Sequence, residues 1–326
     1  MTDEQTQIDL STVIVSFNTR DILRRCLDAV ARHGDDLRQE IIVVDNDSRD
    51  GSPEMVACEF PHVRLIRNTQ NLMFAHASNQ GMAAASGRNL LLLNSDAFVR
   101  AGTLRELGRF LDRNPLAAIV GPKVLNVDGS LQSKGFTAPR IGLGIVRVTG
   151  LNKMLPDYVK RRIFATYFWD ENKAVTPDVL SGCCMMLKAS VVRGIGGLCE
   201  DFYHGGEDGE WCFRARRFGY QVWYLPDAVV EHIGGASKVR LDSTITVRDT
   251  VRMWELSFGV AYGLVAEGLD IAYDLQRYVS ALLTAKEPAL RAQIRAKARL
   301  QCSKIAALAY RMLRDPWRAG PPPPQQ

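Results

Sequence analysis

Two adjacent carboxylates, Glu207 and Asp208, follow the glycines Gly205 and Gly206 and directly precede a helical stretch. Apolar residues recur at helical spacing from 211 to 218, which places both carboxylates in the first turn of the predicted helix. Acidic residues are favoured at that end in any protein, because exposed amides and the helix dipole stabilise negative charge. The glycines leave space where a ligand could approach. This stretch alone leaves open whether the carboxylates serve the helix or a reaction.

Polar residues also follow three of the predicted strands. The positions are Ser16 and Asn18 after the first strand, Asp45 at the end of the second, and Asn94 and Asp96 at the end of the fourth. A single Asx residue at such a position commonly caps or turns the chain. Three clusters on successive strand ends instead outline an acidic, hydroxyl-lined crevice, since ligands bind at the carboxyl ends of parallel strands.

The first crossover, VIVSFNTRDIL, contains no glycine, and neither GxGxxG nor GxxxxGK[ST] occurs in the chain. These absences disfavour a dinucleotide dehydrogenase and a P-loop enzyme. A phosphate group bound in the crevice would need another source of positive charge. A divalent cation held by carboxylate oxygens is the natural candidate, and Asp96 is placed to hold it.

The elements that must position these residues are short apolar strands that alternate with helical patterns. The strands are STVIVSF, IIVV, VRLI and NLLLLNSD. Continuous apolar strands separated by helices predict an α/β fold, with a mostly parallel sheet and helices on both faces. Beyond about residue 240 the pattern is helical.

The composition is that of a globular protein. The 326 residues include 46% hydrophobic and 24% charged residues, which excludes disordered and collagen-like classes. No apolar run is long enough to span a bilayer. The polar start, MTDEQTQIDL, has no signal-peptide pattern, so a cytoplasmic protein is expected. The seven cysteines lack metal-type spacing and are interpreted as reduced residues.

The net charge of +5 is unevenly distributed. Nine Lys or Arg against two acidic residues lie between positions 286 and 318, and the rest of the chain is about neutral. A nucleic-acid binder would spread basic residues among stacking aromatics across its fold, so no nucleic-acid partner is predicted.

The same basic segment has an amphipathic pattern. One helical stripe carries Leu290, Ile294, Ala298, Cys302, Ile305, Leu308 and Met312, and the opposite side carries Lys297, Arg299, Lys304, Arg311 and Arg314. Such a helix could lie in a membrane interface. It could equally pack on the protein's own core or on a second subunit of a homodimer, and the pattern leaves these roles open.

Seven motifs together resemble the inverting family 2 glycosyltransferases of the GT-A fold, close to their rhamnosyltransferase-like members. They occur in family order from about residue 10 to 237: VIVSFNTRDILRRCLDAV, IIVVDNDSRDGS, NLMFAHASNQGM, LLLLNSDAFV, LSGCCMMLKASVVRGIGG, GGEDGEWCFRARRFGYQVWYLPDAVVEH and GGAS. Each motif is weak alone, but seven in order are specific.

The resemblance implies roles for individual residues. Asp45 would contact the nucleotide base, and Asp208 would be the catalytic base. Glu207 is expected to orient the acceptor or the loop. Asp96 matches the last acidic position of the family's metal-binding DxD-type motif. His232 matches a histidine that lies near the metal or the diphosphate in such enzymes. The implied donor site also includes Ser16, Asn18, Asn79 and Asn94.

The implied reaction moves a sugar, with rhamnose as one candidate, from a nucleoside-diphosphate sugar to a saccharide or lipid-linked saccharide in bacterial surface polysaccharide synthesis. Mg²⁺ or Mn²⁺ is the implied cofactor, and a single in-line displacement would invert the anomeric carbon. Lipid-linked acceptors favour peripheral contact with anionic membrane at the cytoplasmic face. Two alternatives are a nucleotidyltransferase, which would need a glycine-rich loop after the first strand, and a non-catalytic sugar-nucleotide-binding protein.

The chain departs from the family pattern at several positions. The DxD-type motif reads Asn94-Ser95-Asp96, and Met73 stands where relatives usually carry glycine. Cys199 replaces an aspartate. The glycines at 205 and 206 fall in a loop that often bears an aromatic residue, which leaves the acceptor unassigned.

The predicted organisation has three parts. Residues 1–240 form the transferase domain, with a nucleotide-binding half to about 125 and an acceptor-binding half from about 126. Residues 241–318 form a helical region. The last segment, 319–326, is a Pro-rich tail that cannot continue a helix and is expected to be disordered.

Overall fold

The structure is a computed structural model of the chain. It describes residues 8–34, 37–133, 135–136, 141–156, 170–203, 205–235, 243–285 and 287–314. Two compact units divide the chain: 1–138 with 160–240, and 139–159 with 241–326. Segment 139–159, placed by the sequence in the acceptor-binding half, thus groups with the C-terminal helices. The Pro-rich tail lies outside the described residues.

The described strands and helices alternate through the first unit, as the sequence predicts. The strands are β1 (Leu10–Ser16), β2 (Gln39–Asp45), β3 (Arg64–Arg67), β4 (Asn89–Asn94), β5 (Ala97–Val99), β6 (Ala117–Leu125), β7 (Leu131–Ser133), β8 (Cys184–Lys188) and β9 (Gln221–His232). The helices are α1 (Arg20–Arg32), α2 (Ser52–Glu59), α3 (Met73–Ala83), α4 (Thr103–Arg113), α5 (Ile141–Val148), α6 (Ala189–Ile195), α7 (Glu207–Arg217), α8 (Ser243–Phe258), α9 (Val260–Thr284) and α10 (Pro288–Arg314).

Within the described residues the strands form one sheet in the order β3-β2-β1-β4-β8-β6-β9-β5, with β7 paired to β6. Strands β1 to β4 run parallel to one another, and β6 runs parallel to β9. Strands β8 and β5 run antiparallel to their neighbours. The mostly parallel sheet is confirmed. The reversed strands were not predicted, because a short apolar run has the same pattern in either direction.

The strand register brings the polar strand ends together. Ser16 is paired with Asp45 across β1 and β2, and Val15 is paired with Asn94 across β1 and β4. The three strands therefore end at the same level. This confirms that the predicted clusters share one edge of the sheet.

Apolar residues on both faces of the sheet explain its stability. Ile41 and Val43 of β2 belong to the large core cluster that includes the buried faces of α1 and α4, whereas Ile42 and Val44 pack with Ala77 of α3. Neighbouring strand residues point to opposite faces, so the four consecutive residues 41–44 of β2 are all apolar. Each fully buried aliphatic side chain contributes about 1.5–3 kcal/mol to the free energy of unfolding.

The second unit is helical, as predicted, and several polar contacts join its helices. Arg147 of α5 lies 3.2 Å from Asp270 of α9, measured from Nη1 to Oδ1. Lys304 of α10 lies 3.7 Å from Glu267 of α9, measured from Nζ to Oε1. Gln301 donates to Asp274 at 2.8 Å. No helix within the described ranges combines the length and hydropathy that a bilayer crossing requires.

The prediction that one apolar stripe and one polar side divide α10 is wrong in part. Ile294 is buried and Ala298 half-buried, but Leu290 and Ile305 are 45% and 44% exposed, and Cys302 is exposed as well. Lys304, expected on the opposite polar side, faces α9 instead. Packing against α9 selects a narrower face than the apolar pattern indicates. The side chains of Leu308, Met312, Arg311 and Arg314 lie outside the described residues.

Candidate active site

A cleft of about 300 Å³ opens at the carboxyl ends of β1, β2 and β4. Its lining comes from Val15, Phe17, Asn46, Asn71, Met73, Phe74, Asn94, Ser95, Asp96, Ser181, Gly182, Cys183, Tyr203, Gly205, Glu207, Asp208 and His232. The cleft thus gathers residues that are far apart in sequence. It lies at the edge of the sheet where the sequence predicts a ligand.

Asp208 and Glu207 lie in the first turn of α7, as predicted. The N-cap is Gly206, whose φ of 107° belongs to a conformation that glycine adopts without strain. Asp208 Oδ2 accepts a hydrogen bond from the Gly182 amide, and Oδ1 accepts one from the Gly209 amide, both at 2.8 Å. Glu207 is buried beside it. Asp208 is therefore fixed in orientation, with a side chain that faces the cleft.

Burial dominates the electrostatics of Asp208. Burial raises the pKa of its carboxyl above the ordinary value of 3.8, and the backbone amide hydrogen bonds from Gly182 and Gly209 oppose that rise. A carboxylate with a raised pKa binds protons more strongly, so Asp208 has the properties of a general base.

Asp96 and His232 meet although 136 positions separate them. Strands β5 and β9 pair antiparallel with Ala97 opposite His232, and the Ile233 amide donates to the Asp96 carbonyl at 3.1 Å. This pairing leaves His232 Nε2 3.1 Å from Asp96 Oδ1. The structure therefore places together the two residues predicted as metal ligands.

The same pair has donor atoms that suit a divalent metal ion. Cis ligands at about 2.1 Å from an octahedral metal lie about 3 Å apart, close to the 3.1 Å between His232 Nε2 and Asp96 Oδ1. Within the described residues no group of three or more His, Cys, Asp or Glu side chains could hold a metal. The remaining ligands of a metal at this pair would be substrate oxygens and water.

Asp45 is almost completely buried at the end of β2. Its Oδ1 accepts a hydrogen bond from the Ser48 amide at 2.9 Å, whereas its Oδ2 is buried and accepts none from the described residues. Burial raises the pKa of this carboxyl, and the hydrogen bonds from Ser48 oppose that rise. A buried acceptor without a donor is costly, so this oxygen is suited to an N–H group of a ligand.

The other predicted donor-site residues at the strand ends have different surroundings. Ser16 is buried, and its hydroxyl lies 3.3 Å from that of Thr19, which donates to Ser95. Asn18 is exposed, with a φ of 53°, and its side chain accepts from the Arg49 amide. Asn94 lines the cleft. Ser16 and Asn18 therefore shape the cleft wall and its loops without being among its lining residues.

Asn79, also predicted at the donor site, lies elsewhere. Its Nδ2 donates to the Leu198 carbonyl and to Glu200, both at 2.8 Å, and its Oδ1 accepts from the Leu198 amide at 2.8 Å. These bonds join α3 to the loop before α7. Asn79 is not among the residues that line the cleft.

Several lining residues were missed by the sequence analysis. They are Phe17, Asn46, Asn71, Phe74 and Tyr203. The signal available was their position, since four of them lie within the quoted motifs and Tyr203 lies two residues before one. Tyr203, 41% exposed, places an aromatic ring two residues before the glycine pair, in the loop where the family pattern often has one.

Met73 has a backbone conformation that is unusual for a residue other than glycine. Its φ is 64°, in the left-handed region that favours glycine, and its amide donates to Asn71 Oδ1 at 2.9 Å. Glycine is the residue that the sequence resemblance led us to expect at this position. The methionine therefore brings an apolar side chain into the cleft at the cost of backbone strain.

A larger cavity, of about 500 Å³, lies at the amino ends of β1 and β4. Arg88 on its wall is paired with Asp9 and Asp112 at distances of 3.3 and 2.8 Å. None of the predicted site residues lines this cavity. The smaller cleft is therefore the better candidate for chemistry.

Comparison with known proteins shows which family the sequence of this chain matches. Residues 11–193 match the sequence model of the family described as Glycosyl transferase family 2. An N-acetylglucosaminyl-diphospho-decaprenol L-rhamnosyltransferase of Mycobacterium tuberculosis is 26% identical over 206 residues, which are 59% of this chain and 66% of that protein. The chain thus spans just under two thirds of that relative. The low-salt glycan biosynthesis hexosyltransferase Agl10 of Haloferax volcanii is 24% identical over 249 residues, 75% of this chain and 74% of the relative.

Solved structures share the fold. The mannosyltransferase PcManGT of Pyrobaculum calidifontis, in complex with GDP-Man and Mn²⁺, matches with a TM-score of 0.56 and 19% identity, covering 97% of this chain and 90% of that one. GalNAc-T7 with UDP, GalNAc and Mn²⁺ matches with a TM-score of 0.59 and 16% identity, over 95% and 58% of the two chains. The expected GT-A type of fold is confirmed. Because the family match covers more than half of its residues, the chain belongs to glycosyl transferase family 2.

Proposed function

We propose that the protein is an inverting glycosyltransferase that moves a sugar from a nucleoside-diphosphate sugar to a hydroxyl group of a saccharide or lipid-linked saccharide. The observation that carries the proposal is the convergence, in one cleft, of Asp208 with the Asp96–His232 pair. The reaction requires a base, and it requires a cation that stabilises the leaving diphosphate; Asp208 would supply the first, and Asp96 with His232 would hold the second. Rhamnose is our candidate sugar and surface polysaccharide synthesis our candidate process, since one relative is named as a rhamnosyltransferase and another as a succinoglycan biosynthesis protein.

Donor binding would use two separate groups of the chain. The buried Oδ2 of Asp45 would accept a hydrogen bond from an N–H of the nucleotide base, which supplies the donor that this oxygen lacks among the described residues. The diphosphate would lie near Asp96 and His232. When bound there, Mg²⁺ or Mn²⁺ would stabilise the negative charge that builds on the departing diphosphate. Asp96 and His232 supply the protein's ligands for that ion.

Asp208 would act as the general base. Its carboxylate would accept the proton of the acceptor hydroxyl while that oxygen forms a bond to the anomeric carbon. The bond from that carbon to the diphosphate oxygen breaks in the same displacement, so the configuration inverts. The amides of Gly182 and Gly209 hold the carboxylate in place for this step. Glu207, in the same turn, would orient the acceptor or the loop.

We also propose that α10 brings the enzyme to the cytoplasmic face of an anionic membrane. Arg291, Arg295 and Arg299 are exposed at helical spacing of four, near the exposed Leu290. Anionic lipids attract such residues by about 1 kcal/mol each. A homodimer that buries this surface is the alternative.

Turnover with a panel of nucleoside-diphosphate sugars tests the proposed activity. We expect one sugar nucleotide to be consumed, slowly with water and faster with a saccharide acceptor, and the product to have the inverted anomeric configuration by NMR. Retention of configuration would contradict the single displacement. Binding of a sugar nucleotide without turnover would instead support a binding protein. Formation of nucleoside triphosphate and sugar 1-phosphate from the sugar nucleotide and added pyrophosphate would support a nucleotidyltransferase.

A further inference from the structure

The ring of His232 is held on both sides. Its Nε2 lies 3.1 Å from Asp96 Oδ1, and its Nδ1 lies 2.6 Å from the Oε1 of Gln132, on β7. Gln132 contacts the same residue a second time, because its Nε2 donates to the His232 carbonyl at 2.9 Å. Gln132 therefore fixes both the backbone and the ring of His232.

The hydrogen bonds that fix Gln132 begin at Asp128. A carboxylate can only accept, so the Ser130 hydroxyl, 2.6 Å from Asp128 Oδ1, must donate to it. The hydroxyl oxygen then accepts from Asn126 Nδ2 at 2.9 Å. This contact sets the orientation of the Asn126 amide and turns its Oδ1 towards Gln132.

The orientation of the Gln132 amide follows. Its Nε2 faces two acceptors, Asn126 Oδ1 at 2.8 Å and the His232 carbonyl at 2.9 Å, which use both of its hydrogens. Its Oε1 must then be the atom that faces His232 Nδ1, and an oxygen acceptor requires Nδ1 to carry hydrogen. In the neutral ring, Nε2 then keeps its lone pair, directed to the side of Asp96.

We infer that Gln132 is a positioning residue for the metal site: it holds His232 in the Nδ1–H tautomer, so that Nε2 is the atom available to a divalent cation beside Asp96. The inference rests on the metal site of the proposed function. Metal-binding histidines commonly donate their other ring N–H to such a partner, which fixes the ring and the tautomer. The lone pair of Nε2 and an oxygen of Asp96 would repel each other unless a cation lay beside them.

Local chain geometry supports this role. Residues 126–130 form a turn that closes with a 2.8 Å hydrogen bond, which the Asn126 amide donates to the Ser130 carbonyl, and Gly129 has a φ of 83°. The turn connects β6 to β7, and Ser133, next to Gln132, pairs with Val124. The segment NVDGSLQ therefore presents Gln132 to His232 from a closed hairpin.

Two substitutions of Gln132 separate tautomer control from a structural role. In Gln132→Glu the carboxylate can still accept from Nδ1–H, but both Nε2 hydrogen bonds are lost. In Gln132→Leu all three contacts are lost. Gln276→Leu, at an exposed position of α9, is the matched control for a glutamine-to-leucine change on the surface.

The tautomer is read directly, without metal or turnover. Long-range ¹H–¹⁵N correlation on protein labelled at its five histidines, at a pH where imidazole is neutral, reports which ring nitrogen carries the proton. Loss of one signal in His232→Asn assigns the residue. We expect Nδ1–H in the wild type, in Gln132→Glu and in Gln276→Leu, and the Nε2–H form in Gln132→Leu.

Calorimetric titration of the full chain with Mn²⁺ alone gives the second readout. We expect Gln132→Leu to weaken Mn²⁺ binding by roughly 10–100-fold, the usual effect of losing such a partner, and Gln132→Glu to bind at least as well as the wild type. Equal weakening in both variants, or Nε2–H in the wild type, would overturn the inference. A wild type with Nδ1–H that binds no Mn²⁺ would overturn the proposed metal site and leave the tautomer control by Gln132 in place.

Discussion

Asp208 Oδ2 accepts a 2.8 Å hydrogen bond from the Gly182 amide, which ties the first turn of α7 to the segment that enters β8. The two residues are closely packed. A Cβ atom added to Gly182 would lie 3.2 Å from both Cβ and Oδ2 of Asp208. The carboxylate therefore has a single orientation, set by backbone atoms of two elements. A base held in this way can act without reorganisation during the reaction.

Replacement of Asp208 by asparagine should lower kcat by roughly two to four orders of magnitude, the usual contribution of a positioned base. Donor affinity by calorimetry should stay near the wild-type value, because Asp45, Asp96 and His232 are unchanged. Glu207→Gln, in the same helical turn, is the control and should lose less. Near-normal turnover in Asp208→Asn would contradict the role of this residue as base.

The pH dependence of kcat should carry the raised pKa of Asp208. A base works in its ionised form, so kcat should rise with pH through a value above the ordinary 3.8. The free energy of unfolding should change with pH in the opposite direction to kcat. A raised pKa favours the protonated form in the folded state, so its stabilisation is full below 3.8 and is lost as the pH rises through the folded pKa. A pH–rate profile with no acidic limb above the ordinary 3.8 would contradict this assignment, and the residual rate of Asp208→Asn should lack that limb.

Removal of divalent metal should weaken the binding of the nucleoside diphosphate. The chain has no glycine-rich loop to neutralise the diphosphate, and its candidate ligands are Asp96 and His232, 3.1 Å apart. Calorimetry with excess chelator and with excess Mn²⁺ measures the difference in the wild type. In Asp96→Ala the affinity should be low in both conditions. Equal affinity with and without chelator in the wild type would show donor binding to be metal-independent.

The Met73→Gly variant should be more stable than the Met73→Ala variant, by about 1 kcal/mol in the free energy of unfolding. The φ of 64° is strained for any residue with a Cβ, at a cost of roughly 1–2 kcal/mol, whereas glycine adopts it freely. Denaturant unfolding of Met73→Gly and Met73→Ala measures the difference. Ala57→Gly, at an exposed position of α2, is the control for an alanine-to-glycine change in a helix and should lose about 0.5–1 kcal/mol. Alanine as the more stable residue at 73 would contradict the strain.

Sedimentation with anionic liposomes should detect the proposed contact of α10 with membrane. Replacement of the exposed Arg291, Arg295 and Arg299 by glutamine should reduce binding at low salt and leave the fold intact, because these side chains face solvent. The control removes three exposed arginines of the first unit, Arg109, Arg113 and Arg193. Equal loss in both variants would indicate attraction by net charge alone. No binding of the wild type at low salt would favour packing or dimerisation.

Much of the fold follows from short-range patterns. Apolar runs predict β1, β2 and β4, and the period of 3.6 residues together with the glycines places Asp208 in the first turn of its helix. These features depend on neighbouring residues in the chain, so they are visible in the sequence. The shared edge of polar strand ends follows from the same patterns once the strands are taken as parallel.

Other features depend on pairing between distant segments, which no local pattern encodes. Antiparallel pairing of β5 with β9 brings Asp96 to His232, and the 126–132 hairpin brings Gln132 to the other side of that ring. Asn79 has a side chain engaged with a loop 119 positions away rather than with the cleft. The sequence alone determines which residue types stand at strand ends and helix starts, because backbone periodicity is local. Which of those residues touch is decided by strand register and packing, because only the closed tertiary structure brings their side chains within hydrogen-bond distance.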